Sequence, residues 1–240
     1  STTTINNNIN KAKEEAINSA NSNTTNSINN IKFGGRNYYL NSSFNKTLDN
    51  WSTNDPIIVI KDGYLIMDAR NITGPYLDTQ QTFNVDGEGI YTMSLDVAEA
   101  NGTCYMYAID KTDTDAVQPY TDNCFTLQSK KRNFKVIEGR KGTTRFWSVI
   151  RAMKGSYLKC RLAKFEKGNK NSDWTPAPED VQAYAEEVAK AKADLAKTEA
   201  IANSDGKITE EERKRIQQAQ ENLNTAIARA DKAKADSQAY

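Results

Sequence analysis

Between Gly35 and about Ala163 the chain is a series of short segments in which large apolar and polar residues alternate, and this period of two limits the possible folds most. In Tyr91, Met93, Leu95 and Val97 the apolar positions are separated by Thr92, Ser94 and Asp96. Successive side chains of a strand point to opposite faces, so such a segment has one face in a core and one towards water. The clearest further segments are Pro56–Ile60, Tyr64–Ala69, Thr79–Asn84, Gly89–Ala98, Cys104–Asp110, Asn133–Ile137, Arg145–Ala152 and Tyr157–Lys164. Turn residues fall between them, at Lys61-Asp62-Gly63, Asp86-Gly87 and Lys154-Gly155. The expectation is a jelly-roll-like antiparallel β-sandwich.

The flanks have another period. Residues 1–30 contain 10 Asn and 9 Ser or Thr, yet Ile5, Ile9, Ala12 and Ala16, then Ile28 and Ile31, recur at helical spacing. Asn is a poor helix former, so a helix here needs partner chains to bury its thin stripe, and the alternative is a polar linker. Beyond Pro176 and Pro178, the residues Val181, Tyr184, Val188, Ala191, Leu195 and Thr198 trace a second stripe. Ile216, Ala219, Leu223, Ile227 and Ala230 trace a third. The chain therefore reads as mainly β with α-helical flanks: a helical stalk or linker over 1–32, a sandwich over 33–178, and a helix-loop-helix or coiled-coil segment over 179–240. Periodicity leaves open whether the last two helices fold back or extend. A homo-oligomer follows from the thin seams.

Histidine is absent from all 240 residues, which removes the usual base near neutral pH, the Ser-His and Cys-His nucleophile pairs and the commonest zinc ligand. A carboxylate pair of the glycosidase type remains, but nothing singles out two among Asp96, Asp110 and Asp122. No enzyme is expected. Cys104, Cys124 and Cys160 lack C-x-x-C spacing and read as buried thiols, with a Cys104–Cys124 bridge as the lesser alternative. No apolar run approaches the about 18 residues that span a bilayer, so no membrane insertion is expected. The opening Ser-Thr-Thr-Thr-Ile-Asn-Asn-Asn is unlike a signal peptide, and the missing initial methionine suggests a piece of a longer protein.

Net charge is +1, with no global preference for nucleic acid, but the charges are segregated. Asp55 to Phe125 holds 12 acidic and 3 basic residues; Thr126 to Lys170 holds 14 basic residues against Glu138 and Glu166. Either the basic half meets an anionic polymer, or acidic and basic strands pair within one sandwich.

Two stretches are more specific. Gly35-Arg36-Asn37-Tyr38-Tyr39-Leu40-Asn41-Ser42-Ser43-Phe44, followed by Leu48-Asp49-Asn50-Trp51, opens the sandwich. Phe165-Glu166-Lys167-Gly168-Asn169-Lys170-Asn171-Ser172-Asp173-Trp174-Thr175-Pro176-Ala177-Pro178-Glu179-Asp180 closes it. Together they resemble the R-N-L-L-x-N-S-x-F opening and L-E-K-G-x-K-x-T-D-W-T-P-A-P-E-D close of sandwich modules in siphophage tail-tip and tail-fibre proteins. Tyr38-Tyr39 and Phe165 stand where aliphatic residues are usual. The resemblance implies a jelly roll similar to carbohydrate-binding modules, followed by coiled coil, in a virion tail assembled in the bacterial cytoplasm, with host cell-surface polysaccharide and other phage tail proteins as partners. It also implies a homotrimer, since such fibres are commonly threefold, and it does not name the sugar. Trp51 is expected in the core. Trp174, between Asp173 and a rigid Thr-Pro-Ala-Pro segment, is expected to cover one end of the sandwich and orient the next helix, whose start Glu179 and Asp180 would favour.

Sugar recognition needs aromatic faces for the apolar side of a pyranose and planar polar groups for its hydroxyls. Tyr105 and Tyr107 share one face of a strand whose other face carries Cys104, Met106 and Ala108. Tyr76 beside Gly74-Pro75 and Tyr120 beside Pro119 are read as loop aromatics, with Arg70, Asn71 and Gln118 as hydrogen-bonding neighbours; Trp147 is left open between platform and core. The stretch Asn203 to Glu212 resembles half an EF-hand loop lacking its first ligand, so Asn203, Asp205 and Glu212 are the only calcium candidates. A T-x-x-E capping box at Thr209 and Glu212 is the preferred reading, and no cofactor is expected.

A structural spacer with no ligand, or a bacterial surface adhesin module, are the competing functions.

Overall fold

The computed structural model describes residues 10–20, 22, 35–44, 47–112, 120–202 and 208–238. Gly34, Gln118, Asn203, Asp205 and Gly206, and the seam residues Ile5, Ile9, Ile28 and Ile31, lie outside them.

Among the described residues ten strands form the expected sandwich: β1 (Ser52–Thr53), β2 (Val59–Lys61), β3 (Tyr64–Asp68), β4 (Tyr76–Asn84), β5 (Gly89–Asn101), β6 (Cys104–Thr112), β7 (Phe125–Thr126), β8 (Lys131–Gly139), β9 (Thr143–Met153) and β10 (Tyr157–Lys167). They pair antiparallel into two five-stranded sheets, β1-β4-β9-β6-β7 and β2-β3-β10-β5-β8. The two very short edge strands β1 and β7 carry no alternation signal and were not anticipated. β4 starts at Tyr76, three residues before the expected Thr79, because pairing runs from Tyr76↔Met153 to Asn84↔Arg145. The tight turn between β2 and β3 is Asp62-Gly63, both at positive φ (53° and 74°) with Lys61 opposite Tyr64, the backbone that an Asp-Gly hairpin favours.

The core lies between the sheets. Tyr91, Met93, Leu95 and Val97 of β5 face Met106, Phe146, Ile150 and Leu77 of the other sheet, all buried. Tyr38 and Tyr39 join Phe83, Phe146 and Phe165 in an aromatic cluster, with Tyr39 and Phe83 edge to face at 5.0 Å. Trp51 is in the core as expected, its Nε1 donating to the Leu40 carbonyl at 2.9 Å.

The opening and closing motifs meet. Asn37 is fully buried and its Nδ2 donates to Ser42 Oγ, the Ala163 carbonyl and the Thr175 carbonyl. Its Oδ1 accepts from the backbone N–H of Tyr39 and Phe165. β10 has a register break between Arg161 and Lys164, with Leu162 at φ 53°, and this bulge exposes the Ala163 N–H and carbonyl to the motif residues instead of a neighbouring strand. Lys164 and Glu166, both buried, pair at 3.3 Å. Ser172 and the Asp173 carbonyl bond the ammonium, while Gly35 and Ser172 bond the carboxylate. These contacts satisfy two charges that would otherwise be costly to bury, and burial pulls the Lys164 ammonium below its ordinary range against the pull of Glu166.

Among the described residues three pairs join the basic and acidic halves: Arg132 with Asp96 at 2.7 Å, Arg140 after β8 with Asp110 at 2.7 Å, and Arg151 with Asp78 at 2.5 Å. The three cysteines are free. Cys104 belongs to the core between the sheets and Cys124 packs on the opposite face of its sheet, so the Cys104–Cys124 bridge is corrected by geometry.

The helices form a second compact unit. It contains α1 (10–20), α2 (Pro178–Ala202) and α3 (Glu210–Gln238). α2 and α3 fold back on one another: Arg229 near the end of α3 pairs with Glu187 near the start of α2. Glu179 and Asp180 occupy the first turn of α2, where carboxylates complement the helix dipole. The capping box is formed as expected, with Thr209 Oγ1 accepting from Glu212 N at 3.2 Å and Glu212 Oε2 accepting from Thr209 N at 2.8 Å. Among the described residues no helix is long and apolar enough to cross a membrane.

Candidate functional site

The outward face of sheet β1-β4-β9-β6-β7 carries an aromatic and polar grid. Direct register partners share a face, and three central strands supply four successive rows. Tyr105, Arg151 and Asp78 form the first row; Tyr107, Val149 and Gln80 the second; Ile109, Trp147 and Thr82 the third; Lys111, Arg145 and Asn84 the fourth. The inward positions are Cys104, Met106 and Ala108, so the small side chains of β6 face the core and its tyrosines face out.

Arg151 organises the first two rows. Its Nε and Nη2 donate to Asp78 Oδ1 and Oδ2 at 2.6 and 2.5 Å, a bidentate fork that fixes the guanidinium plane. The Cζ atom lies 3.7 Å from the centroid of Tyr76, a cation–π stack, and Nη1 and Nη2 each donate to a phenol oxygen, Tyr105 and Tyr107, at 3.3 Å. Burial alone would depress the arginine, but the Asp78 and Tyr105 contacts hold it above its ordinary range, so it stays charged. The Tyr107 phenol is pushed up to about 12 by burial, despite the nearby Arg151 charge, and stays protonated.

Trp147 is half-buried beside this group. Its Nε1 donates to Gln80 Oε1 at 3.0 Å, and its ring meets Tyr107 edge on at 6.0 Å. Tyr107 is only 3% exposed and forms a small apolar cluster with Ile109 and Val149, against which Tyr105, Cys124 and Trp147 pack. The accessible part of this group is therefore made by Tyr76, Tyr105 and Trp147, all half-buried, with Gln80 between them. Rings held by buried hydrogen-bonded neighbours lose little freedom on binding, which is the physical requirement of a stacking platform.

The structure brings together four of the expected residues: Tyr76, Tyr105, Tyr107 and Trp147. Tyr76 is the first residue of β4 and not a loop aromatic. Arg70 is elsewhere: its guanidinium is forked to Asp68 at 2.8 and 2.6 Å and lies 5.0 Å from the ring of Tyr157 in the other sheet. Asn71 is exposed next to it, in the turn after β3. Tyr120 opens the 3-10 turn Tyr120–Asn123. Glu212 is engaged in its capping box. Among the described residues no group of three metal-binding side chains occurs.

Sequence reasoning missed Arg151, Asp78 and Gln80. The signal was present: Tyr76-Asp78-Gln80 and Trp147-Val149-Arg151 have the same period of two that exposed Tyr105 and Tyr107. Asp96 and Asp110 lie in different sheets, each bound to an arginine.

No protein-family model and no curated protein matches this sequence. Among solved structures, the second N-terminal cellulose-binding domain of Cellulomonas fimi β-1,4-glucanase C is similar at 10% identity, over 58% of this chain and 99% of that one, with a TM-score of 0.44. A family 16 carbohydrate-binding module gives 9% identity over 55% and 100%, with a TM-score of 0.40. The enzymatically active domain of tailspike protein 4 from bacteriophage CBA120 gives 9% identity over 55% of this chain, with a TM-score of 0.42, and the match spans 21% of that domain. Likeness at this level bears on neither ligand nor activity.

Proposed function

We propose that the chain is a non-catalytic segment of a phage tail fibre or tail tip whose sandwich binds host cell-surface polysaccharide. The observation that carries this reading is the outward cluster of Tyr76, Arg151 and Tyr105 beside Trp147, in which a bidentate fork from Asp78 fixes Arg151 against the Tyr76 ring and Gln80 bonds the Trp147 indole. The rings supply apolar faces for the C–H side of a pyranose, and Gln80 supplies a planar amide for hydroxyls. The resemblance of the two motifs to siphophage tail modules supplies the setting. Repetition of the chain in a trimeric fibre raises weak single-site affinity by multivalency.

The test is binding of the purified chain to arrayed glycans and extracted bacterial surface polysaccharides, with Tyr105→Ala and Trp147→Ala compared at matched thermal stability. Selective binding that falls at least about tenfold in either variant, the scale of one lost stacking contact, is the expected result. Selective binding that both variants retain removes this face from consideration.

A ligand-free spacer is the second reading, and the burial of Tyr107 and Val149 favours it, since an aromatic held below the surface contributes packing and not recognition. Absence of binding by an intact oligomer would select it.

A further inference from the structure

The aromatic face ends in a row of positive charge that no carboxylate among the described residues pairs with. Lys111 of β6 and Arg145 of β9 are direct register partners, and Trp147 precedes Arg145's row on the same face. The ammonium of Lys111 is 5.9 Å from the Trp147 ring centroid. Like charges directly opposite on neighbouring strands repel and destabilise the pair. Arg151 is matched by Asp78, Arg132 by Asp96 and Arg140 by Asp110, while Arg161 of β10 lies over the Tyr64 ring. Among the described residues no ion pair includes Lys111 or Arg145. Arg145 is exposed, and the third member of its row is the exposed amide of Asn84.

We propose that Lys111 and Arg145 form an anion subsite at the end of the glycan-binding face, so that the ligand class is an acidic polysaccharide bearing a carboxylate or phosphate. The inference rests on the glycan-binding reading above. Two residues of a strand cover about 6.8 Å, so a charged substituent on a sugar stacked at Trp147, or on the adjoining unit, reaches the pair. The guanidinium presents a planar fork to either anion, and the ammonium adds a point charge. An anion in this position removes the like-charge repulsion, which gives binding of an acidic sugar an energetic term that a neutral one lacks.

The experiment uses the full chain and four immobilised polymers: polygalacturonate, poly(glycerol phosphate), and the uncharged galactan and dextran. The parent is expected to bind one of the two anionic polymers at least about tenfold more tightly than either neutral one, a factor that corresponds to one charge-assisted contact. That preference is expected to disappear in the Lys111→Gln/Arg145→Gln double variant, to persist in the charge-keeping Lys111→Arg/Arg145→Lys variant, and to shrink as salt is raised. The better anionic polymer identifies carboxylate or phosphate as the group recognised. A double variant that keeps the parent's preference, or a parent with none, overturns the inference. If Trp147→Ala abolishes binding of a neutral polymer in a chain with no acidic preference, the glycan-binding reading stands and only the anion subsite fails. Failure of the parent to bind any polymer overturns both.

Discussion

The Ala163 carbonyl accepts hydrogen bonds from the side chains of both Asn37 and Trp174, each at 3.1 Å. One oxygen, turned out of the β10 ladder by a bulge, thus joins the opening and closing motifs of the sandwich. Asn37 also accepts from the buried backbone N–H groups of Tyr39 and Phe165, so its side chain serves three acceptors and two donors within a space closed to water.

Asn37→Ala leaves buried backbone groups without partners, and each such group costs about 1–3 kcal/mol. The expected loss is at least about 3 kcal/mol in denaturant unfolding. A loss of about 0.5 kcal/mol or less, the size of an ordinary surface change, would show that the two motifs are not joined in this way.

Asp78→Ala removes the carboxylate that neutralises Arg151, whose side chain is only 15% exposed. A poorly solvated guanidinium without its partner costs about 3 kcal/mol. The adjacent double replacement Asp78→Ala/Arg151→Met is expected to be more stable than the single Asp78→Ala, because the uncompensated charge has gone. A double-mutant cycle in urea measures the difference; equal stabilities would mean that solvent, and not Asp78, balances Arg151.

Asp110 gives the acid limb of stability. Burial pushes its carboxyl up, but hydrogen bonds from the Arg140 side chain and backbone and from the Thr143 hydroxyl outweigh that, leaving it below the ordinary 3.8. The unfolded chain takes up the proton first as pH falls, so the stabilisation is complete above the unfolded value and is lost on descent through it towards the folded one. Between about pH 5 and pH 2 the parent is expected to lose stability more steeply than Asp110→Asn. Urea midpoints across that range decide the point, and parallel curves would refute it.

Three thiols are expected to titrate in denaturant, and none to react rapidly at neutral pH in the folded chain. Burial pushes Cys104 up to about 11 and raises Cys160 as well. Burial also raises Cys124, partly offset by Lys135 and Arg151. Since the thiolate is the reactive species, half-buried Cys124 is expected to be alkylated first. A count of one thiol would indicate a bridge that the placement of Cys104 and Cys124 on opposite faces of a sheet does not allow.

Much of the fold was legible because its signals are local. Alternation in Tyr91 to Val97 needs only the pleat of one strand to send methionine and leucine inward. The Asp62-Gly63 turn and the Thr209–Glu212 capping box are each complete within a few residues. The same rule separated Tyr105 and Tyr107 from Cys104, Met106 and Ala108. β1 and β7 were invisible because two residues of strand carry no period; their pairing with β4 and β6 makes them strands. The sequence reads Tyr76 as a loop residue because Gly74-Pro75 dominates its surroundings, whereas its pairing with Met153 lies far along the chain.

By itself the sequence determined the sandwich class, the inward residues of its long strands, the helical flanks and the presence of aromatic material for a ligand face. Tertiary structure alone decided that Arg151 stacks on Tyr76 and grips Asp78, that Arg70 lies in the turn after β3 against Tyr157 of β10, that charges of the two halves pair, and that α2 and α3 fold back. The physical reason is range. Side-chain direction follows from the backbone of a few neighbouring residues, while strand order and register depend on which distant segments bury their faces together, and only that pairing places a carboxylate, a guanidinium and a ring within contact.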